Sequence, residues 1–144
     1  MKIIVDGMGG DHAPREIVRG SVAAVLEYNI DIILIGDRQC LEAELRKQNA
    51  PMDRFQLISA SQVITMEDSP VAAIRKKSDS SIVKGLELVR ENPDSVLISA
   101  GGTGALLAGG MLKVGRIPGI DRPALASVLA NRKGGTLLLD IGAN

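Results

Sequence analysis

The chain has 144 residues, 45% of them hydrophobic, which suffices for one domain with one core and is too short for two. Its 17 Lys and Arg balance 17 Asp and Glu, and Tyr28 and Phe55 are its only aromatic residues, so it offers neither a global positive field nor a stacking platform for nucleic acid. Cys40, the single cysteine, excludes an intrachain disulfide and a cysteine-based zinc cluster and fits a reducing cytoplasm.

Ile3-Ile4-Val5 is a short apolar run that meets Asp6 too soon to be the core of a secretory signal. It reads as a buried strand feeding a glycine-rich loop, Asp6 to Pro14, with a helix to follow. Ile17, Val18, Ser21, Val22, Val25 and Leu26 recur at helical spacing up to Tyr28, and Asn29 closes that helix. Ile32 to Ile35 is the second strand, Gly36-Asp37 its turn, and Gln39 to Gln48 a charged helix ended by Pro51. Phe55 to Ile58 makes a weaker third strand, after which Ser59 to Ser69 is polar.

Ser69-Pro70 caps a short helix, Val71 to Lys77, and Ser78 to Ser81 caps another whose Ile82, Val83, Leu86 and Val89 face inward. Ser95 to Ile98 is the fourth strand. A glycine turn follows, then a helix to about Lys113 in which Gly109-Gly110 costs about 1 kcal/mol each unless close packing requires them. Ala124 to Leu129 and Thr136 to Ile141 read as further strands around a turn, Asn131 to Gly135. The strand-then-helix order predicts a single domain over residues 1–144, a three-layer α/β/α fold with a mostly parallel sheet. A last strand running into Gly142-Ala143-Asn144 with no crossover helix behind it predicts a chain that is incomplete at its C-terminus.

Ligands of an open parallel sheet bind where its strands end. Three glycine turns fall there: Asp6 to Asp11, Ser99 to Gly104 and Asp140 to Asn144. The second is the most pointed, because Gly101, Gly102 and Gly104 let backbone approach a ligand while Ser99 and Thr103 supply hydroxyls, a pattern that predicts an anion site. No G-x-x-x-x-G-K-[ST] and no G-x-G-x-x-G occurs, so no nucleotide cofactor is indicated.

Other residues keep two readings each. Asp6 and Asp11 either cap turns or ligate a metal, and no metal site is assigned to them. His12, the only histidine, is either a hydrogen-bonding loop residue or a general base. Arg75, Lys76, Lys77 and Lys84 form either a solvated helix face or a patch for an acidic partner.

Four segments in order, Asp6 to Pro14, Ser99 to Ala105, Gly119 to Ala126 and Asp140 to Asn144, together resemble the bacterial phosphate acyltransferase family. The resemblance spans the whole chain and corresponds to the N-terminal part of that family's longer chain. It implies transfer of a fatty acyl group from acyl carrier protein to inorganic phosphate, giving acyl phosphate for phospholipid synthesis. It further implies a fold similar to isopropylmalate dehydrogenase and phosphotransacetylase, a cytoplasmic homodimer and peripheral membrane association. On this reading Ser99, Gly101, Gly102, Thr103 and Gly104 bind phosphate, and Asp11, His12 and Asn144 are the catalytic candidates. Arg75, Lys76 and Lys77 meet the carrier protein. Two positions depart from the family pattern: Gly7 stands where Ala is usual, and Gly102 where Asn is usual, which removes a side-chain amide from the central turn. The alternatives are a phosphotransacetylase-like enzyme acting on acyl-coenzyme A, and an inactive anion-binding or dimerising fragment.

Overall fold

The structure, a computed structural model, describes residues 1–121 and 123–140. Four strands, β1 (Lys2–Asp6), β2 (Ile32–Gly36), β3 (Phe55–Ser59) and β4 (Ser95–Ile98), form one parallel sheet in the order β3-β2-β1-β4. The register places Ile3 beside Ile32 and Val96, and Val5 beside Leu34 and Ile98. Strand periodicity then sorts side chains to opposite faces. Val5, Ile32, Leu34 and Phe55 face one way and pack with Val18, Val22 and Val25 of α1 (Arg15–Tyr28) and Leu41 and Leu45 of α2 (Arg38–Lys47). Ile4 and Ile35 face the other way, against Leu88 and Val89 of α4 (Ser81–Glu91).

Helices therefore cover both faces, and the three-layer α/β/α architecture expected from the sequence is present. Ile4, Leu34, Ile35, Leu41 and Leu45 are completely buried, each contributing about 1.5–3 kcal/mol of transfer free energy. A second apolar cluster joins Ile64, α3 (Pro70–Lys76), α4 and α5 (Thr103–Gly109).

Local signals explain the helix boundaries. The Asp37 carboxylate accepts from the Cys40 backbone N–H at 2.8 Å and starts α2, and Ser80 does the same for α4 through Val83. Asn29 closes α1 in the left-handed region at φ 52°. Helix α5 ends sooner than the hydrophobic pattern suggests, passing into a π-helical turn over Gly110–Val114. Only Gly109 of the glycine pair serves close packing. A Cβ there would lie 2.3 Å from Leu86 Cδ1, whereas one at Gly110 would meet nothing within 4 Å.

Strands β5 (Ala126–Asn131) and β6 (Gly134–Leu139) form a separate antiparallel hairpin. Asn131 pairs with Gly134 across a two-residue loop, and strands joined so tightly can only run antiparallel. Leu137 and Leu139 alternate with a half-buried Leu138, and Val128 and Leu129 are exposed.

Candidate active site

The loops after β1 and β4 meet because their strands are neighbours. Asp6, the last residue of β1, is 1% exposed. Its Oδ1 accepts from the Met8 backbone N–H at 3.1 Å, and its Oδ2 accepts from the Ser99 hydroxyl at 2.7 Å. Ser99 Oγ in turn accepts from the Gly101 N–H at 3.0 Å. One buried carboxylate thus fixes both glycine loops, and the metal-ligand reading of Asp6 gives way to that of a turn anchor. Gly9 threads through the junction: a Cβ there would lie 2.5 Å from Asp6 Oδ2 and 2.8 Å from the Gly101 nitrogen. Gly10 holds φ +97°, a conformation that favours glycine, with its α-carbon turned to Ala100.

A cavity of about 210 Å³ opens beside this junction. Its walls are Met8, Gly10 and Asp11 from the first loop, Ala100, Gly101 and Gly102 from the turn after β4, and Val63 to Glu67 from the loop after β3. The Val63 to Glu67 wall was missed in the sequence. Its polar composition was visible, but its place depends on the path of the loop: parallel pairing starts it on the sheet edge shared with the other two, and it then crosses from outer strand β3 toward β4 on the opposite side.

Wall and turn touch closely. A Cβ at Gly102 would meet Met66 Sδ at 3.2 Å, and one at Gly104 would meet Pro70 Cγ at 3.0 Å. Met66 itself is 74% exposed.

The electrostatics of the cavity are those of backbone dipoles and carboxylates. Among the described residues Asp11 and Glu67 are its charged lining residues, with no Lys or Arg. The neighbouring Thr65 side chain, followed by the backbone of Glu67, holds the Glu67 carboxyl below its ordinary range. Gly102 caps α5, and Leu106 is the first residue to return a hydrogen bond, to the Gly102 carbonyl at 3.1 Å. Among the described residues the N–H groups of Gly102, Thr103, Gly104 and Ala105 have no acceptor.

The other sequence candidates separate. Ser99 spends its proton on Asp6 and Gly101 spends its N–H on Ser99, so both hold the turn. Asp11 lines the cavity, whereas His12 borders a different depression with Ala13, Arg15 and Glu16. Arg75 and Lys76 are exposed at the end of α3, while Lys77 turns inward to the Val63 carbonyl and Asp68. Asn144 and Arg122 lie outside the described residues. Of the third turn only Asp140 is described, at the end of the separate β5–β6 hairpin with its N–H donating to the Leu125 carbonyl; the rest of that turn lies outside the described residues. Among the described residues no three His, Cys, Asp or Glu side chains converge, and no helix is long and apolar enough to cross a membrane.

A family model described as fatty acid synthesis protein matches residues 1–144. The chain belongs to that family. It is 52% identical over 145 residues to the phosphate acyltransferase of Halothermothrix orenii and 55% identical over 144 residues to that of Alkaliphilus oremlandii. It is 50% identical over 145 residues to the phosphate acyltransferase of Clostridioides difficile. Each match takes in 100% of this chain and 43% of the relative. The fatty acid synthesis protein family therefore reaches across every element described above, while the chain spans less than half the length of these curated relatives.

Proposed function

We propose that this chain forms the phosphate-binding part of an acyltransferase that moves a fatty acyl group from acyl carrier protein to inorganic phosphate. The observation that carries the reading is the match of the whole chain to curated phosphate acyltransferases at about half identity. The geometry agrees with it, because the Asp6–Ser99 junction holds a turn of unpartnered N–H groups at the edge of a cavity.

Phosphate lies against the N–H groups of Gly102, Thr103 and Gly104 and the Thr103 hydroxyl, neutral donors that suit an anion. A phosphate oxygen attacks the thioester carbonyl carbon and a tetrahedral oxyanion forms. Its collapse breaks the carbon–sulfur bond, giving acyl phosphate and a thiol that takes up the phosphate proton. Holding the nucleophile in position supplies much of the rate. Asp11, on the cavity wall, is better placed than His12 to receive that proton in transit. Arg75 and Lys76 remain available to an acidic carrier protein, and a homodimer peripheral to the cytoplasmic face of the membrane completes the reading.

The test is thiol release from acyl-acyl carrier protein and from acyl-coenzyme A, with and without phosphate. Phosphate-dependent release from the carrier-protein thioester supports the proposal, and preference for coenzyme A supports a phosphotransacetylase-like enzyme. Phosphate binding without release of either thiol assigns the 144 residues on their own an anion-binding role, and absence of phosphate binding overturns the proposal.

A further inference from the structure

We propose that Lys77 is a positioning residue of the cavity, tying together the two ends of the Val63–Asp68 wall and so holding Met66 over Gly102. The inference rests on the reading of the glycine turn as the phosphate site.

Lys77 closes α3, where its backbone is held on both sides: its N–H donates to the Ala73 carbonyl at 2.8 Å and its carbonyl accepts from Ser80 at 3.1 Å. From that fixed point its ammonium donates to the Val63 carbonyl at 2.9 Å and to Asp68 Oδ2. The same Asp68 oxygen accepts from the Thr65 N–H at 2.8 Å and the Thr65 hydroxyl at 3.3 Å, and the Asp68 N–H returns to the Thr65 carbonyl at 3.4 Å. Thr65 to Asp68 is thus a tight reverse turn with Met66 and Glu67 at its tip. Ile64, 5% exposed, roots the wall in the second apolar cluster, but Thr65, Met66 and Glu67 are exposed and have no apolar anchor of their own. Their position over the glycine turn depends on the polar closure, and Lys77 is the donor common to the wall's beginning and end. A side chain more than two-thirds buried, with its charge directed to two acceptors of one loop, acts as a strut for that loop.

The experiment is amide hydrogen exchange and phosphate titration by NMR on the chain and its Lys77→Met, Asp68→Asn and Lys77→Arg variants. In Lys77→Met and Asp68→Asn, exchange at the hydrogen-bonded amides of positions 65 and 68 quickens by about tenfold or more, while the core amides of Ile4 and Leu34 keep their rates. Phosphate-induced shifts at Gly102 to Gly104 then require higher phosphate concentrations. Lys77→Arg, which still reaches both acceptors, restores both readouts. Unchanged exchange in the wall, or equal acceleration in wall and core, overturns the proposal. If the unaltered chain shows no phosphate-induced shift, the phosphate reading falls, and the exchange comparison still decides the role of Lys77. Asp68→Asn keeps the test decisive should Lys77→Met fail to fold, because it removes the charged acceptor and leaves the lysine stem in place.

Discussion

Asp6 Oδ2 and Ser99 Oγ lie 2.7 Å apart although 93 positions separate them in the chain, and this single contact joins the two glycine loops of the candidate site. Ser99→Ala leaves one buried carboxylate oxygen without its donor and the Gly101 N–H without its acceptor. The expected cost is about 1–3 kcal/mol, read as a lower urea midpoint at unchanged slope. Ser99→Thr keeps the hydroxyl and recovers part of that loss.

Glycines in this chain differ in what they are for, and substitution to alanine separates them. Gly9→Ala drives a methyl group into Asp6 and the Gly101 nitrogen, neither of which is a flexible side-chain end, and destabilises by about 3 kcal/mol. Gly20, inside α1 with nothing within 4 Å of a built Cβ, gives the opposite result. Gly20→Ala stabilises by about 0.5–1 kcal/mol through helix propensity alone. Thermal midpoints of the two variants, moving in opposite directions, are the measurement.

Glu67 places a negative charge on the wall of a cavity proposed to take an anion. Glu67→Gln removes that repulsion and lowers the dissociation constant for phosphate by about 2–10-fold, measured by titration at low ionic strength, with the gain shrinking as salt is added. A variant that binds more weakly would instead make Glu67 a ligand for a protonated group of the substrate.

Met66 lies where a larger residue at position 102 would extend. Gly102→Asn forces only the flexible thioether end to move, so stability changes by less than about 1 kcal/mol. The added amide supplies another donor to the turn, and phosphate affinity rises. Pairing it with Met66→Ala, which clears the contact, increases that gain beyond the single substitution.

Acid should loosen the loop after β3. The Asp79 carboxyl is held well below its usual range, first by the Lys84 ammonium and then by the Ser61 hydroxyl and backbone N–H. Because its pKa is depressed in the folded chain, its contribution is complete above the unfolded value of about 3.9 and fades as pH falls below that toward the folded value. Asp79→Asn lacks this term and therefore loses less stability than the parent between pH 5 and pH 2, as denaturation midpoints at each pH will show.

The parallel core was legible because its information is local. Ile3-Ile4-Val5, Ile32 to Ile35 and Ser95 to Ile98 are apolar runs bounded by turn residues, and each became a strand with ends within one residue of the expectation. The place of the turn between β4 and α5 was legible for the same reason. What stayed hidden depends on pairing between distant segments. β3 and β4 are the two outer strands of the sheet, so Met66 reaches Gly102 only because the loop after β3 runs back across the strand ends, a path that no periodicity encodes. Ser99 looked like a phosphate ligand because a hydroxyl beside glycines suits one, yet the neighbouring carboxylate of Asp6 takes its proton. Lys77 shared the composition of Arg75 and Lys76, and only the backbone turn at the end of α3 directs it inward. The two strands from Ala126 onward were legible too, but not that a two-residue loop pairs them with each other apart from the parallel sheet.

The strand order also dictates a timetable. As the chain leaves the ribosome, β1 can pair with β2 after some thirty residues and β3 can add soon after, whereas the far side of β1 stays open until Ser95 to Ile98 has been made. Asp6 meets Ser99 only then. Most of the scaffold of this protein can thus assemble early, and the junction of its two glycine loops closes late, with the arrival of a single strand.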